Sequence, residues 1–141
     1  MAPEAHNARF MSIRILRLGS PRTKTEGLRI GTVRHPPRGV PRDQLAARDF
    51  YDVWLPELSP SAELVKAALG AEDERAWRRF AQRYRAEMKR PAAARLIALL
   101  AALSHRTNLA VGCCCADPQR CHRSILGDLL ADAGAKIAQR D

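Results

Sequence analysis

The segment LAVGCCCADPQRCHRSILGDLL, from Leu109 to Leu130, carries the clearest signals of secondary structure in the chain. It begins with the short apolar run Leu109–Cys113, which is typical of a buried parallel strand. The loop Ala116-Asp117-Pro118-Gln119 follows, and its Asp-Pro pair is a turn signal because proline disfavours helical backbone in the residue before it. Apolar residues then recur at helical spacing. We therefore predict a helix that begins near Gln119–Cys121 and stops before Gly134, a natural C′ residue.

A helix that begins at this position would gather reactive and basic groups in its first turn. The first N–H groups of a helix lack intrahelical partners and carry a partial positive charge. Arg120, His122 and Arg123 belong to the same turn, and this combination favours a bound anion, most often a phosphate. The same field would lower the pKa of a nearby thiol. The two candidate thiols are Cys113 at the strand end and Cys121 at the helix start.

These residues predict a site that binds, or acts on, a phosphorylated or otherwise anionic small molecule. In this hypothesis Cys113 or Cys121 is the reactive thiol and His122 is the base or acid beside it. Arg123 would help to hold the anion, because a guanidinium pairs well with phosphate or carboxylate oxygens. The residues do not indicate which reaction the site performs or which cofactor it uses.

Two more strands are predicted earlier in the chain, at Met11–Leu16 and Leu28–Val33. The second strand leads directly into a proline-rich loop that carries Arg34 and Arg38. In open α/β sheets, ligands bind just beyond the carboxyl ends of the strands. We therefore expect both arginines to lie near the same sheet edge as the cysteines and to take part in binding the anion.

Three helices are predicted between these strands and the cysteine-rich stretch. Ser59-Pro60 predicts the start of a helix that ends near Gly70. A second helix has an apolar stripe between Trp77 and Met88, and the third, Ala92–Leu103, is apolar nearly all round and is expected to be buried on the sheet. The order of elements predicts a single α/β domain with a small, mostly parallel sheet flanked by helices, Rossmann-like in two or three layers. It would span residues 11–141 after a disordered tail at 1–10.

The cysteine-rich stretch resembles the signature of a known family. A strand is followed by a cysteine, then by a short acidic loop that ends in Asp-Pro, and then by Cys-His-Arg at the start of a helix. In this chain these positions are Cys113, Asp117-Pro118 and Cys121-His122-Arg123. This order is similar to that of the DUF488 family, a set of small bacterial and archaeal proteins of unassigned function. The segment WLPELSPS at 54–61 resembles the family's WLKELAPS, and the helix from Phe80 to Met88 resembles its F..RY..EL pattern. The segment RHPPRG at 34–39 resembles its DRLWPRG, so the resemblance covers roughly residues 12–133.

The resemblance implies that Asp117 is a site residue together with the cysteines, the histidine and the arginine of the signature. Three positions depart from the family pattern. Val33 replaces an acidic residue, Pro36 replaces a tryptophan, and Cys115 replaces a frequent glutamate. If the missing carboxylates are acid–base groups in relatives, the resemblance implies that the activity of this protein is altered or lost.

A second hypothesis is a metal site made of Cys113, Cys115, Cys121 and His122. Thiolate and imidazole ligands suit Zn²⁺ or iron. The spacing argues against such a site, because structural zinc sites usually use paired C-x-x-C knuckles. Neighbouring side chains at a helix start also point about 100° apart. On this reasoning the adjacent Cys121 and His122 would not converge on one ion.

The charge of the chain supports a third hypothesis, a module that binds nucleic acid. The net charge is +9, and residues 9–48 alone carry +8, from ten basic residues against two acidic ones. Such asymmetry suggests an acidic partner. However, 20 of the 24 basic residues are arginine, which also fits the codon bias of a GC-rich genome.

The composition and the terminus bear on location. Apolar residues make up 46% of the 141-residue chain, which indicates a globular protein. No apolar run approaches the roughly 20 residues that span a bilayer, and the N-terminus lacks the features of a signal peptide. A cytoplasmic location without membrane association is therefore expected. The four cysteines are expected to be free thiols or metal ligands, because cysteines adjacent in sequence rarely pair. The oligomeric state is not indicated.

Overall fold

A parallel sheet of five short strands lies at the centre of the computed structural model, which describes residues 11–69, 73–115 and 120–140. The strands of this described part are β1 (Ile13–Arg17), β2 (Leu28–Gly31), β3 (Val53–Trp54), β4 (Leu109–Cys113) and β5 (Ile137–Arg140). Their order across the sheet is β3-β2-β4-β1-β5, and each neighbouring pair is parallel. The central strand is the apolar run predicted from the sequence, and all five of its residues are buried. The predicted tail at 1–10 and the predicted loop at 116–119, which holds Asp117, lie outside the described residues.

Four α-helices of the described residues accompany the sheet. They are α1 (Ala62–Leu69), α2 (Glu74–Glu87), α3 (Pro91–Leu103) and α4 (His122–Asp132). Two short 3₁₀ helices, Arg42–Gln44 and Pro56–Leu58, precede them. The predicted α/β fold with a parallel sheet and flanking helices is therefore confirmed.

The helices all pack on one face of the sheet. Ile13, Ile15 and Val111 belong to a core cluster to which all four helices contribute buried side chains. The intervening residues of the strands, Leu16 and Ala110, face a second cluster that is supplied by loops rather than by helices. Of the predicted two-layer and three-layer arrangements, the structure therefore has the two-layer one, with helices on one face of the sheet. Loops cover the opposite face.

Two of the predicted strand limits were wrong by a few residues, and two strands were not predicted. β1 begins at Ile13 instead of Met11, and β2 ends at Gly31 instead of Val33. The unpredicted strands β3 and β5 form the two edges of the sheet. Strands of two and four residues carry little apolar periodicity of their own, so pairing with a neighbour defines them.

Two predictions about the helices were also wrong. The helix predicted to start at Ser59-Pro60 begins at Ala62, and the Leu64 N–H donates to Ser61 Oγ at 3.3 Å, which makes Ser61 the cap. Ser59 stays in extended backbone. The α3 helix is not buried all round, because its neighbours cover one side only and Leu99 is 53% exposed. Among the helices described, none has the length and apolarity needed to cross a membrane.

Candidate functional site

A cleft opens at the carboxyl ends of β2 and β4. Gly31 and Gly112 are paired in the register of these strands, and the Thr32 N–H donates to Gly112 O at 2.9 Å. Both strands therefore leave the sheet at the same edge. The cleft has a volume of about 420 Å³. It is lined by Val33, Arg34, His35, Ser59, Pro60, Val65, Cys113, Cys114, Cys115 and His122. Arg34 and the cysteines thus meet at the edge where the strand topology predicted them.

The first residues of α4 bring two neighbouring side chains together. Cys121 is the N-cap of this helix and has extended backbone, with φ −134° and ψ 146°. Its sulfur lies 3.8 Å from Nδ1 of His122, the first helical residue. The argument that adjacent residues diverge by one helical step was therefore wrong, because it applies only when both residues are helical.

Three potential donor atoms cluster at this point. Within the described parts of the chain, the sulfurs of Cys113 and Cys121 and a ring nitrogen of His122 all lie within 4.8 Å of one another. Each of the three residues is buried. The sequence predicted these residues as a set, and the strand end and the helix start bring them together.

The imidazole of His122 is held by the end of β2. Its Nε2 lies 2.8 Å from the carbonyl oxygen of Thr32 and 3.1 Å from Thr32 Oγ1. A carbonyl oxygen only accepts hydrogen bonds, so Nε2 carries the proton and Nδ1 keeps its lone pair toward Cys121. Burial lowers the pKa of His122 to about 4, so the ring is neutral at neutral pH. Sequence reasoning missed Thr32, whose only sequence signal is its place directly after β2.

An aromatic ring supports the same imidazole from the helical layer. The ring centroid of Tyr84 lies 5.5 Å from that of His122 in an edge-on arrangement. The Tyr84 hydroxyl donates to Leu58 O at 2.7 Å and is itself buried. His122 is therefore fixed between the sheet and α2 before any ligand binds.

The sulfurs of Cys113, Cys115 and Cys121 interact with one another. Hydrogen bonds from Cys113 and Cys121 lower the pKa of the Cys115 thiol. The contact with Cys115 raises the pKa of Cys113, and hydrogen bonding within the cluster, first with Cys113, raises that of Cys121. The expectation that Cys113 or Cys121 has the lowered pKa was wrong, because interactions within the cluster raise the pKa of both buried thiols. The residue Cys114 is exposed as well, but partial burial of its sulfur raises the pKa of its thiol.

Arg123 contacts the cysteine-rich segment Cys113–Cys115. It is 2% exposed, and its guanidinium donates to Cys115 O at 2.8 Å and to Cys113 O at 3.4 Å. The same nitrogen lies 3.6 Å from the Cys113 sulfur. These contacts fix the loop and place a positive charge beside its sulfurs. The anion-binding role of Arg123 stays a prediction.

The two arginines predicted from the loop after β2 have different surroundings. Arg34 is half-buried in the cleft wall, where its Nε donates to Pro60 O and one terminal nitrogen donates to Ser59 O, each at 3.1 Å. The ion pairs of the described residues do not include Arg34. Arg38 is exposed and lies outside the cleft lining, and its anion-binding role also stays a prediction.

A basic surface outside the basic segment 9–48 lies on α2. Its exposed arginines are Arg75, Arg78, Arg79 and Arg83. Two of them, Arg79 and Arg83, line a separate cavity together with Phe80. These arginines do not line the thiol cleft. Nucleic-acid binding stays a prediction.

The fold and the site together define an α/β protein with a thiol–imidazole–guanidinium cleft at the carboxyl edge of a parallel sheet. A family model, DUF488-N3a, described as the active DUF488-N3 subclade, matches residues 13–134. The chain therefore belongs to the DUF488 family, as the sequence signature indicated. Searches of curated proteins and of solved structures found no match to the chain.

Proposed function

We propose that the protein binds a small anionic ligand, of the phosphorylated class, in the cleft and acts on it through a cysteine thiol. The observation that carries this proposal is the environment of Arg34. Arg34 is half-buried and lines the cleft together with the thiols, and the hydrogen-bond partners of its guanidinium are two neutral carbonyl groups. Glu57 and Glu87 line a neighbouring cavity with Arg34, but among the described residues no carboxylate forms an ion pair with it, so an anionic ligand would provide that partner.

The two carbonyl groups also orient the guanidinium. They bind Nε and one terminal nitrogen of Arg34, which leaves the other terminal nitrogen for a ligand. Ser59 and Pro60 can supply these carbonyls because α1 begins only at Ala62. A planar, pre-oriented guanidinium suits the oxygens of a phosphate or carboxylate. A cleft of about 420 Å³ lies in the range of small-molecule sites.

Cys115 is the thiol best placed to meet a ligand. It is exposed and lines the cleft, whereas Cys113 and Cys121 are buried, and interactions with these neighbouring thiols lower the pKa of its own thiol. A lowered pKa favours the thiolate, which is the nucleophilic form of cysteine. The description of the family as an active subclade accords with a working site.

Thiol alkylation tests the proposal. In a Cys114→Ser background, iodoacetamide should modify Cys115 at neutral pH faster than it modifies a free model thiol. Inorganic phosphate or phenyl phosphate should slow that modification relative to sodium chloride at equal ionic strength. The protection should disappear in Arg34→Gln and persist in Arg106→Gln, which changes an exposed arginine before the start of β4.

Two results would contradict the proposal. One is an unchanged rate of Cys115 modification when phosphate is added to the parent protein. The other is equal protection of Arg34→Gln and Arg106→Gln, which would show that protection does not involve the cleft arginine.

A further inference from the structure

We propose that Cys113, Cys121 and His122 form a binding site for a divalent, thiophilic metal ion, with Zn²⁺ as the best fit. The inference goes beyond the proposed function, because it stands whether or not the cleft binds an anion. It rests on the positions of three donor atoms, on the contact that orients the imidazole and on the charge beside the sulfurs.

The donor atoms are already close to the spacing of a tetrahedral site. Zn–S and Zn–N bonds of about 2.3 Å and 2.0 Å place donors roughly 3.5–3.8 Å apart around the ion. The Cys121 sulfur and His122 Nδ1 are 3.8 Å apart, and all three donors lie within 4.8 Å of one another. A contraction of about 1 Å or less would therefore complete three bonds.

The imidazole offers the correct nitrogen. Nε2–H donates to the Thr32 carbonyl, so Nδ1 keeps its lone pair, and this nitrogen lies 3.8 Å from the Cys121 sulfur. Histidine ligands of metals commonly donate their second ring N–H to a backbone carbonyl, which fixes both the tautomer and the ring orientation. Thr32 supplies this outer contact through its carbonyl, and its hydroxyl also lies near the ring nitrogen.

The charges balance when the ion binds. Each cysteine must lose its proton to act as a ligand, so Zn²⁺ binding at Cys113 and Cys121 forms two Zn–S bonds and releases two protons. The two thiolates neutralise the ion. The guanidinium of Arg123, 3.6 Å from the Cys113 sulfur, stabilises the added negative charge on that ligand.

The remaining coordination position faces the cleft. Cys113 and His122 line the cleft, so an ion bound between them is reached from that side. Three protein ligands with one open position are the usual arrangement of catalytic zinc sites. Cys115 is not one of the three clustered donors, and we assign it no bond to the ion.

Cobalt titration of the full-length protein, reduced and freed of metal, tests the site. One Co²⁺ per chain should bind with intense sulfur-to-cobalt charge-transfer absorption and the strong visible bands of a tetrahedral ion. Zn²⁺ should abolish these bands and release two protons per ion, measured with a pH indicator. Cys121→Ser should weaken binding by more than about 100-fold, whereas Cys114→Ser and Cys115→Ser should retain it.

Several outcomes would overturn the site. An octahedral cobalt spectrum in the wild-type protein would do so without any variant, so misfolding of a variant cannot rescue the proposal. Loss of binding in Cys115→Ser with retention in Cys121→Ser would assign the metal to other sulfurs. Phosphate protection of Cys115, measured on the same preparation with a chelator present, reports separately on the anion cleft.

Discussion

The Nε2–H group of His122 donates to the carbonyl oxygen of Thr32 at 2.8 Å, although the two residues are 90 positions apart in sequence. The Thr32 hydroxyl donates in turn to Gly112 O at 3.0 Å. One polar side chain therefore links the end of β2, the end of β4 and the start of α4. The orientation of the imidazole is consequently built into the sheet edge, and does not depend on a ligand.

Replacing the Thr32 hydroxyl should affect both the fold and the site. Thr32→Val removes the side-chain bond to Gly112 O and one oxygen beside the ring, but keeps the backbone acceptor of His122. We expect the free energy of unfolding to fall by about 1 kcal/mol and Co²⁺ affinity to fall about 10-fold. Thr32→Ser, which keeps the hydroxyl, should preserve both in urea denaturation and cobalt titration. Equal behaviour of the two variants would show that the hydroxyl does not matter.

Gly112 allows the central strand to approach its neighbour closely. A Cβ at this position would lie 2.4 Å from the Leu16 carbonyl oxygen, an atom of the backbone that cannot move aside easily. Gly112→Ala should therefore destabilise the protein by about 2 kcal/mol or more, measured by thermal or urea unfolding. Gly39→Ala is the matched control, because Gly39 has a left-handed φ of +75° but open space around it, and it should cost only about 1 kcal/mol. A smaller loss for Gly112→Ala than for Gly39→Ala would contradict this account.

A buried ion pair beside β2 should contribute strongly to stability. Arg29 is 0% exposed, and its guanidinium donates to both carboxylate oxygens of Glu26 at 2.8 and 2.9 Å. Glu26→Gln would leave a buried charge without its counter-ion, at a cost of about 3–5 kcal/mol. The control Glu74→Gln breaks an exposed pair with Arg120 and should cost less than about 1 kcal/mol. Comparable losses in urea unfolding would argue against a special role for the buried pair.

The same carboxylates predict how stability depends on pH. Burial alone would raise the pKa of Glu26, but hydrogen bonds from Arg29 and the Thr23 N–H outweigh it and lower the pKa below the ordinary 4.5. Burial is likewise outweighed at Asp52, where the Arg22 guanidinium lowers the pKa below 3.8. Because the unfolded chain then binds protons first, this stability is complete above the ordinary pKa values and is lost as the pH falls through the folded ones.

Acid unfolding checks the sign of this dependence. The free energy of unfolding should begin to fall near pH 4.5, and the fall should be shallower in Glu26→Gln, which has no carboxylate to protonate at that position. A parallel fall in both proteins would assign the acid sensitivity to other groups.

The sequence was informative where a structural signal is local. The apolar run of β4 and the helical periodicity after Cys121 identified the strand and the helix next to the thiols, whereas the predicted Asp-Pro turn lies outside the described residues. Because ligands of open α/β sheets lie beyond the carboxyl ends of the strands, Arg34 was predicted at the sheet edge where the structure has it. By contrast, β3 and β5 depend on pairing with neighbours, which a short segment does not reveal.

The details of the site that sequence reasoning missed depend on backbone geometry and on long-range contacts. Cys121 and His122 converge because the N-cap is extended, and the sequence fixes this position only to within a few residues. Thr32 acquires its role from a histidine 90 residues away, so no local pattern marks it. The lowered pKa belongs to Cys115 and not to Cys113 or Cys121, because it depends on interactions among three thiols that come together only in the folded protein.

Arg123 provides a final test, because its buried guanidinium contacts the backbone of both Cys113 and Cys115. Its contacts with Cys115 O and Cys113 O both come from Nη1, at the end of a planar guanidinium, and the compact ammonium on the shorter stem of a lysine would not place a donor at the same point. Arg123→Lys should therefore lower the free energy of unfolding by about 2 kcal/mol and loosen the loop. The Cys113 thiol, now 1% exposed, should become open to iodoacetamide under conditions in which the wild-type thiol is protected. The control Arg120→Lys, at an exposed position next to the same helix, should change neither the stability nor the protection of Cys113. If Cys113 stays protected in Arg123→Lys, the segment around Cys113 is held by other contacts.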